Sequence, residues 1–441
     1  MDAREILLDP SFTVPSVPPG GSGVRWLRSH VVRFSEGVDH ERRRHLAETV
    51  LAGIDPTALL RSGDHVSTLA EALGLPRTVA HDIRLVAGSY QPDTTITDAT
   101  DEAVARLVAA CGGAWDEATA NRIGLLVQAC AAGDRMVAGF LPPVEATRRV
   151  GPAGDELVVP LAEMPFGAGR HACPGEAHAI ALANGVSRFR RLHEGPAPLV
   201  LPNAWDAASA SLFARAGFAA VGTTSLGVAA AAGVPDAFGA ARAETLQLAR
   251  SIASLPVPVT IDIESGWYTD HGELADLACE LWEMGIAGVN VEDGRGPTLA
   301  DAAKHAEVVA ALKSGAPPLF VNARTDTCWL HVDEESTNDR ARRYIDAGAD
   351  CIFVPGVDDE SQIADLAATL PVPLNVLAGI TVSRLGELGV RRVSTGSAPY
   401  RAALTAALDT AVSVANGSTS PRILGYDEIN SLAARPTNGT R

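Results

Sequence analysis

Two acids two residues apart, Asp262 and Glu264, lie in the stretch Val259-Thr-Ile-Asp-Ile-Glu-Ser-Gly266, where Val259, Ile261 and Ile263 alternate with polar residues. A period of two is that of a β-strand, so both carboxylates share one face. Acids brought together at the end of a strand are costly unless they cap a loop in water or face a cation. More of the same chemistry follows the other apolar runs: Asp236 in Gly233-Val-Pro-Asp236, Glu292-Asp293, and Asn322-Ala-Arg-Thr-Asp326, which supplies Arg324. A set of oxygen ligands without His or Cys favours Mg²⁺ or Mn²⁺. A second, unrelated pattern is the glycine-rich stretch Pro165-Phe-Gly-Ala-Gly-Arg-His-Ala-Cys-Pro-Gly175, which delivers Cys173 to the start of an Ala-rich helix, Glu176–Asn184. There the helix N-terminus would favour a thiolate, and a cysteine thiolate can ligate haem iron.

The elements that must carry the acids alternate regularly. Strands are expected at Leu199–Pro202, Ala219–Thr223, Val257–Ile263, Gly288–Glu292, Leu319–Ala323, Cys351–Val354, Leu374–Leu377 and Arg392–Thr395. Helices fall between them at Ala207–Ala216, Ala240–Ala253, Leu274–Met284, Leu299–Lys313, Ser336–Asp346 and Ser361–Thr369. This α/β pattern predicts a closed (β/α)₈ TIM-type barrel, with chemistry at the C-terminal ends of its strands. A doubly wound sheet is the alternative, but no Gly-x-Gly-x-x-Gly opens a helix after the first strand. Asp206 should cap the next helix, Trp205 could wall the pocket, and Trp267 and Tyr268 could narrow its mouth.

The barrel half resembles the isocitrate lyase/phosphoenolpyruvate mutase superfamily from about residue 189 to 414. The motifs are Leu201-Pro-Asn-Ala-Trp-Asp-Ala-Ala-Ser-Ala210, Thr223-Thr-Ser-Leu-Gly227, Pro235-Asp236, Asp262-Ile-Glu264, Val291-Glu-Asp293 and Asn322-Ala-Arg-Thr-Asp326. The resemblance implies a Mg²⁺-dependent lyase or mutase that breaks or forms a C–C or P–C bond beside C2 of a small 2-oxo or 2-hydroxy acid. It implies Asp262, Glu264 and Glu292 as holders of the metal and its waters, with Asp236 in that acidic shell as a catalytic candidate. It places Ser225, Leu226 and Gly227 at the substrate carboxylate and makes Arg324 an anion clamp. It also implies a homo-oligomer in which the last helix, Ala402–Val414, can exchange between subunits. After Glu292-Asp293, however, the chain reads Gly294-Arg-Gly-Pro-Thr-Leu-Ala-Asp-Ala-Ala-Lys-His305. Neither the lyases' Lys-Lys-Cys-Gly-His nor the mutases' Lys-Lys-Asn-Ser is present. Arg295 is a replacement anchor candidate, Cys328 is not at the acid's position, and Lys304 and His305 read as solvent-facing.

Residues 1–23 read as an irregular Pro/Gly/Ser-rich arm and 24–187 as a mainly helical module. Its expected helices are Val24–Leu51, His65–Leu75, Ala80–Ala87, Asp98–Ala110 and Trp115–Ala132. The Cys173 loop resembles the haem-binding signature of the cytochrome P-450 family through Phe166, Gly167, Gly169, His171, Cys173 and Gly175. Pro142-Pro-Val-Glu-Ala-Thr-Arg-Arg149 is similar to the segment preceding that loop. This implies haem with Cys173 as axial ligand, in a module much shorter than such enzymes. An oxidative enzyme with the barrel as scaffold, or a non-catalytic fusion, are the competing readings. The barrel domain is set at 188–415, followed by a Ser/Thr/Asn-rich tail at 416–441 that has one short apolar segment and an end expected to be disordered.

The formal net charge of −17 argues against nucleic acid or anionic membrane as a partner. No apolar run is long enough to span a bilayer, and no basic segment followed by an apolar run marks a signal peptide. The six cysteines have neither disulfide-scaffold nor zinc spacing. A cytoplasmic location fits.

Overall fold

The computed structural model describes residues 1–418 together with 424–425, 428–429 and 432. It divides into two compact units, Met1–Ser187 and Arg188–Arg441. The reading of the tail falls, beyond Ser418, almost wholly outside the described residues.

In the second unit the strands form one parallel sheet that closes on itself. The first barrel strand is split at Pro202. Its first half, Leu199–Leu201, pairs with the eighth strand, Arg392–Ser394, and its second half, Asn203–Ala204, pairs with the second, Val221–Thr223. Proline has no amide hydrogen to give the ladder, but its carbonyl still accepts from Gly222 N at 2.9 Å. The remaining strands, Val259–Asp262, Gly288–Glu292, Phe320–Arg324, Cys351–Phe353 and Leu374–Leu377, follow in chain order around the ring. Every neighbouring pair is parallel. This is the expected TIM-type barrel.

Its strands are apolar outward and polar inward. Val259, Ile261, Val289, Val291, Val321 and Ala323 are buried against the helices. One in-register row of the opposite parity runs Glu292, Arg324, Phe353, Asn375, Arg392 from strand four to strand eight. A second row sets Asp262 beside Asn290 and Asn322. At the N-terminal ends of the strands, Phe189, Leu199, Ala287, Phe320 and Cys351 close the floor with an apolar cluster. The acids stand at the opposite, C-terminal ends.

Helices not anticipated from the sequence follow strand two (Ser225–Ala232), strand five (Thr327–Leu330) and strand seven (Val382–Glu387). Asp206 does cap Ala207–Arg215, its Oδ1 accepting from Ser209 N at 2.7 Å. His305 is a correction: it is fully buried on Ala302–Gly315, on the same stripe as Val308, Val309 and Leu312, with its ring edge-on to Tyr344.

In the first unit, the helices Gly23–His30, His65–Ala72, Ala80–Gly88, Asp98–Ala110 and Glu117–Val137 enclose a core that includes Leu27, Leu69, Ile83, Leu107, Ile123 and Leu126. The expected helix Val24–Leu51 is two, Gly23–His30 and Gly37–Ala52, broken where Gly37 takes a positive φ of 58°. The N-terminal arm is not wholly irregular. Ala3–Leu8 is helical, with Asp2 and Glu5 forming a capping box. The Pro142–Arg149 segment leads into an antiparallel hairpin, Ala146–Val150 with Glu156–Pro160. Among the described residues no helix is long and apolar enough to cross a membrane.

Burial pushes the His305 imidazole down to about 4, against about 6.5 in an unfolded chain. Between these values the unfolded chain holds a proton that the fold excludes. This contribution to stability is therefore present at neutral pH and is lost as pH falls from about 6.5 towards 4. His305→Leu should flatten that part of the profile by up to one proton, read from urea unfolding at stepped pH. An unchanged slope would contradict a buried neutral imidazole.

Candidate active site

The mouth of the barrel holds a cavity of about 190 Å³ whose lining includes four carboxylates, Asp236, Asp262, Glu292 and Asp326, and one arginine, Arg324. Arg324 ends the fifth strand in register with Glu292 on the fourth. Its Nη1 lies 2.8 Å from Glu292 Oε2 and its Nε donates to Asp326 Oδ1 at 2.6 Å. The Asp326 amide donates to Asp293 Oδ1 at 2.8 Å, while Asp293 Oδ2 accepts from Tyr344 OH at 2.6 Å and Arg340 Nη1 at 3.2 Å. Asp293 is thus a buried post, outside the cavity, that fixes the loop on which Asp326 grips the arginine.

Asp262 ends the third strand, its amide donating to Thr223 Oγ1 at 2.8 Å. Burial pushes its carboxyl up to about 6, with Asp236 and Glu264 adding to the shift and Arg324 opposing it. Glu292 is pushed up as well, burial outweighing its ion pair with Arg324. Asp236 Oδ1 is buried without a hydrogen-bond partner. Carboxylates held this way are starved of positive charge.

Glu264 is present but does not line the cavity. Its φ of 49° turns it aside, and its Oε2 accepts from Gly239 N at 2.7 Å. Its amide donates to Asp262 Oδ1 at 3.1 Å, and its carbonyl accepts from Glu292 N at 2.8 Å. It therefore ties the Asp236-bearing loop to the ends of strands three and four. Among the described residues, no three His, Cys, Asp or Glu side chains are gathered so as to hold an ion between them.

Ser225 and Leu226 line the cavity at the first turn of Ser225–Ala232, whose preceding Thr224 makes no side-chain cap. The first amides of that helix have no intrahelical acceptor and suit an anion. Gly227 lies behind them, where an added Cβ would come within 2.8 Å of both Thr224 Cγ2 and Trp205 Cβ. Trp205, Trp267 and Tyr268 are not among the lining residues. Arg295 sits on a short hairpin, Gly294–Arg295 with Thr298–Leu299, and its guanidinium donates to the backbone of Glu292 and Gly294 rather than entering the cavity. Cys328 is buried outside it, and Lys304 is exposed.

Asn203, expected at the end of strand one, lines the cavity; several other lining residues were not anticipated. Asn290 contributes a polar group, and Trp329, Leu330, Phe353, Pro355 and Leu377 make an apolar wall. Asn290 had a signal, a polar residue between Val289 and Val291 in a buried strand. The wall, gathered from strands and loops far apart in sequence, had none.

In the first unit, Cys173 is an exposed residue before the helix Glu176–Arg191. Arg44 donates to the backbone carbonyl of Ala172. Sγ lies close to Gly175, itself packed near Leu51. Although the residue as a whole is exposed, neighbouring groups crowd water from its sulfur, and this desolvation pushes the thiol up despite the Gly175 amide and Arg44. The expected stabilisation of a thiolate is therefore outweighed.

Residues 189–415 match the family model described as phosphoenolpyruvate phosphomutase. An uncharacterized protein of Mycobacterium tuberculosis is 44% identical over 256 residues, 57% of this chain and 98% of that protein. The 2-methylisocitrate lyase of Bacillus subtilis is 33% identical over 208 residues, 44% of this chain and 67% of the lyase. A solved phosphoenolpyruvate phosphomutase from Streptomyces platensis subsp. rosaceus superposes with a TM-score of 0.51 at 25% identity, covering 56% of this chain and 94% of that one. With this barrel and this acid-rimmed cavity, the chain belongs to the phosphoenolpyruvate mutase/isocitrate lyase superfamily. It is a lyase or mutase.

Proposed function

We propose that the barrel is a Mg²⁺- or Mn²⁺-dependent enzyme that breaks or forms a bond next to C2 of a small 2-oxo or 2-hydroxy acid, through an enolate-like intermediate. The observation that carries this is the charge imbalance at the mouth: four carboxylates to one arginine, with Asp236 Oδ1 buried and unpartnered. Asp262, Asp236 and Glu292 would hold the ion, chiefly through its waters, since no three acids are gathered to ligate it directly. When bound, the ion supplies positive charge for the oxygen on C2 as charge develops there. Arg324 would clamp the anionic head of the substrate, and the amides at Ser225–Gly227 would receive its carboxylate. The cavity lining contains no Cys, His, Lys or Tyr, so a proton for the enolate would come from solvent or from a carboxyl that burial has pushed up, such as Glu292.

The test pairs stability with turnover. Mg²⁺ at about a hundred times its Kd should stabilise the wild type by about 2.7 kcal/mol. Asp262→Ala should abolish that shift and lower turnover of a 2-oxo acid panel by at least about a hundredfold. Turnover surviving Asp262→Ala would sink the reading.

Haem on Cys173 is the second reading, supported by the exposed position of Cys173 on its glycine-rich loop beside Arg44. The residues fit only in part, because desolvation of the sulfur opposes the thiolate. Cys173→Ala should leave lyase turnover intact whichever way this falls. Haem-supplemented protein, reduced under carbon monoxide, should show a thiolate-type absorption band that Cys173→Ala removes; a colourless wild type ends this reading.

We also propose a homo-oligomer. The helix Ala398–Ala415 is exposed along nearly its whole length, including Leu404, Leu408 and Val412 at successive turns, with only Tyr400 buried. An apolar ridge of this kind suits an interface with a second copy of the chain. Leu404→Glu with Leu408→Glu should yield monomers in sedimentation; unchanged mass would place the interface elsewhere.

A further inference from the structure

Arg392 is among the largest side chains that the fold buries completely. It lies on the eighth strand, in the inward row that includes Arg324 and Glu292. Among the described residues no carboxylate pairs with it. Its Nη2 donates to Asn290 Oδ1 at 3.0 Å and its Nε to Ser394 Oγ at 3.3 Å, and its guanidinium lies 6.0 Å from the Phe189 ring centre. Burial draws it down to about 10, which still leaves it charged at neutral pH. A buried cation with only neutral partners is expensive. Packing alone would be served better by an apolar side chain of similar length.

A guanidinium has donors and no acceptor. Asn290 must therefore turn its oxygen towards Arg392. Asn322 Nδ2 donates to the same oxygen at 2.8 Å, so the oxygen has two donors below the cavity. Asn290 itself lines the cavity, in register with Asp262 and two residues before Glu292. With its oxygen engaged beneath, the group it offers to the cavity is the amide nitrogen. Beside it in register stands Asp262, whose carboxyl oxygens accept when ionised. A reversed amide would aim a carbonyl oxygen at an anionic substrate.

We propose that Arg392 is a positioning residue, which locks the Asn290 amide so that its N–H groups face a substrate oxygen in the cavity. The identity of the ligand rests on the lyase or mutase reading above; the orientation of the amide does not. Oxalate, a planar dianion resembling the enolate of a 2-oxo acid, is the probe, titrated calorimetrically with Mg²⁺ present. Arg392→Met and Asn290→Ala should each weaken oxalate by about tenfold or more, the size of one lost hydrogen bond to a charged group. The double variant should be no weaker than either single one, because both act through one amide. Arg392→Lys, which keeps a donor, should recover most of the affinity.

Asn290→Asp guards against a variant that fails to fold. It should raise the thermal midpoint by pairing with Arg392 and yet weaken oxalate, having lost its N–H groups. A crystal structure of Arg392→Met should show the Asn290 amide rotated away from its present partners. Losses that multiply in the double variant, Asn290→Asp binding oxalate as tightly as wild type, or an unmoved amide in Arg392→Met would each overturn the proposal. If wild type binds no oxalate, the functional reading fails, and the amide orientation in the Arg392→Met crystal still decides the role of Arg392.

Discussion

The Arg324 guanidinium lies between Glu292 and Asp326, 2.8 Å from one and 2.6 Å from the other, and has Asp262 and Asp236 within electrostatic reach of the same cavity. One cation cannot balance so many acids at the end of a closed barrel, where burial already disfavours each charge. Much of the surrounding structure maintains this imbalance. Asp293, Tyr344 and Arg340 pin the loop of Asp326. Glu264 spends its own carboxylate on Gly239 and so keeps the Asp236 loop against the mouth. Such an arrangement costs stability in the free protein, a cost that the proposed metal ion would offset.

The imbalance continues below the mouth in reversed sign. Arg392 places an unpaired cation in the barrel interior, held by Asn290 and Ser394 instead of acids. The acids above and the guanidinium below therefore stand at the two ends of a short polar path through Asn290. An amide is suited to that place because it can accept from one end and donate towards the other.

How much of this was legible in the sequence depended on whether the determining contacts were local. The strands were, because Val259 and Ile261 alternate with Thr260 and Asp262 and the barrel keeps that alternation. The cap at Asp206 was, because its partner Ser209 is three residues away. The capping box of Asp2 and Glu5 was equally local, although the Pro- and Gly-rich stretch that follows it obscured it. His305 was misread as solvent-facing although its spacing to Val308, Val309 and Leu312 marks the buried stripe. Glu264 could not be distinguished from a ligand, since its direction is set by a positive φ and by Gly239 in another loop. The polarity of Asn290 was likewise invisible, being decided by Arg392, 102 residues away.

The central claim is that the acidic mouth exists to hold a divalent ion beside the substrate head. A crystal soaked with Mn²⁺ and oxalate tests it most directly, through the anomalous signal of manganese. The account predicts a peak in the cavity beside Asp262, with oxalate against it and Arg324 turned from Glu292 towards the oxalate. A cavity without a manganese peak, or a peak bound away from Asp262, would contradict it.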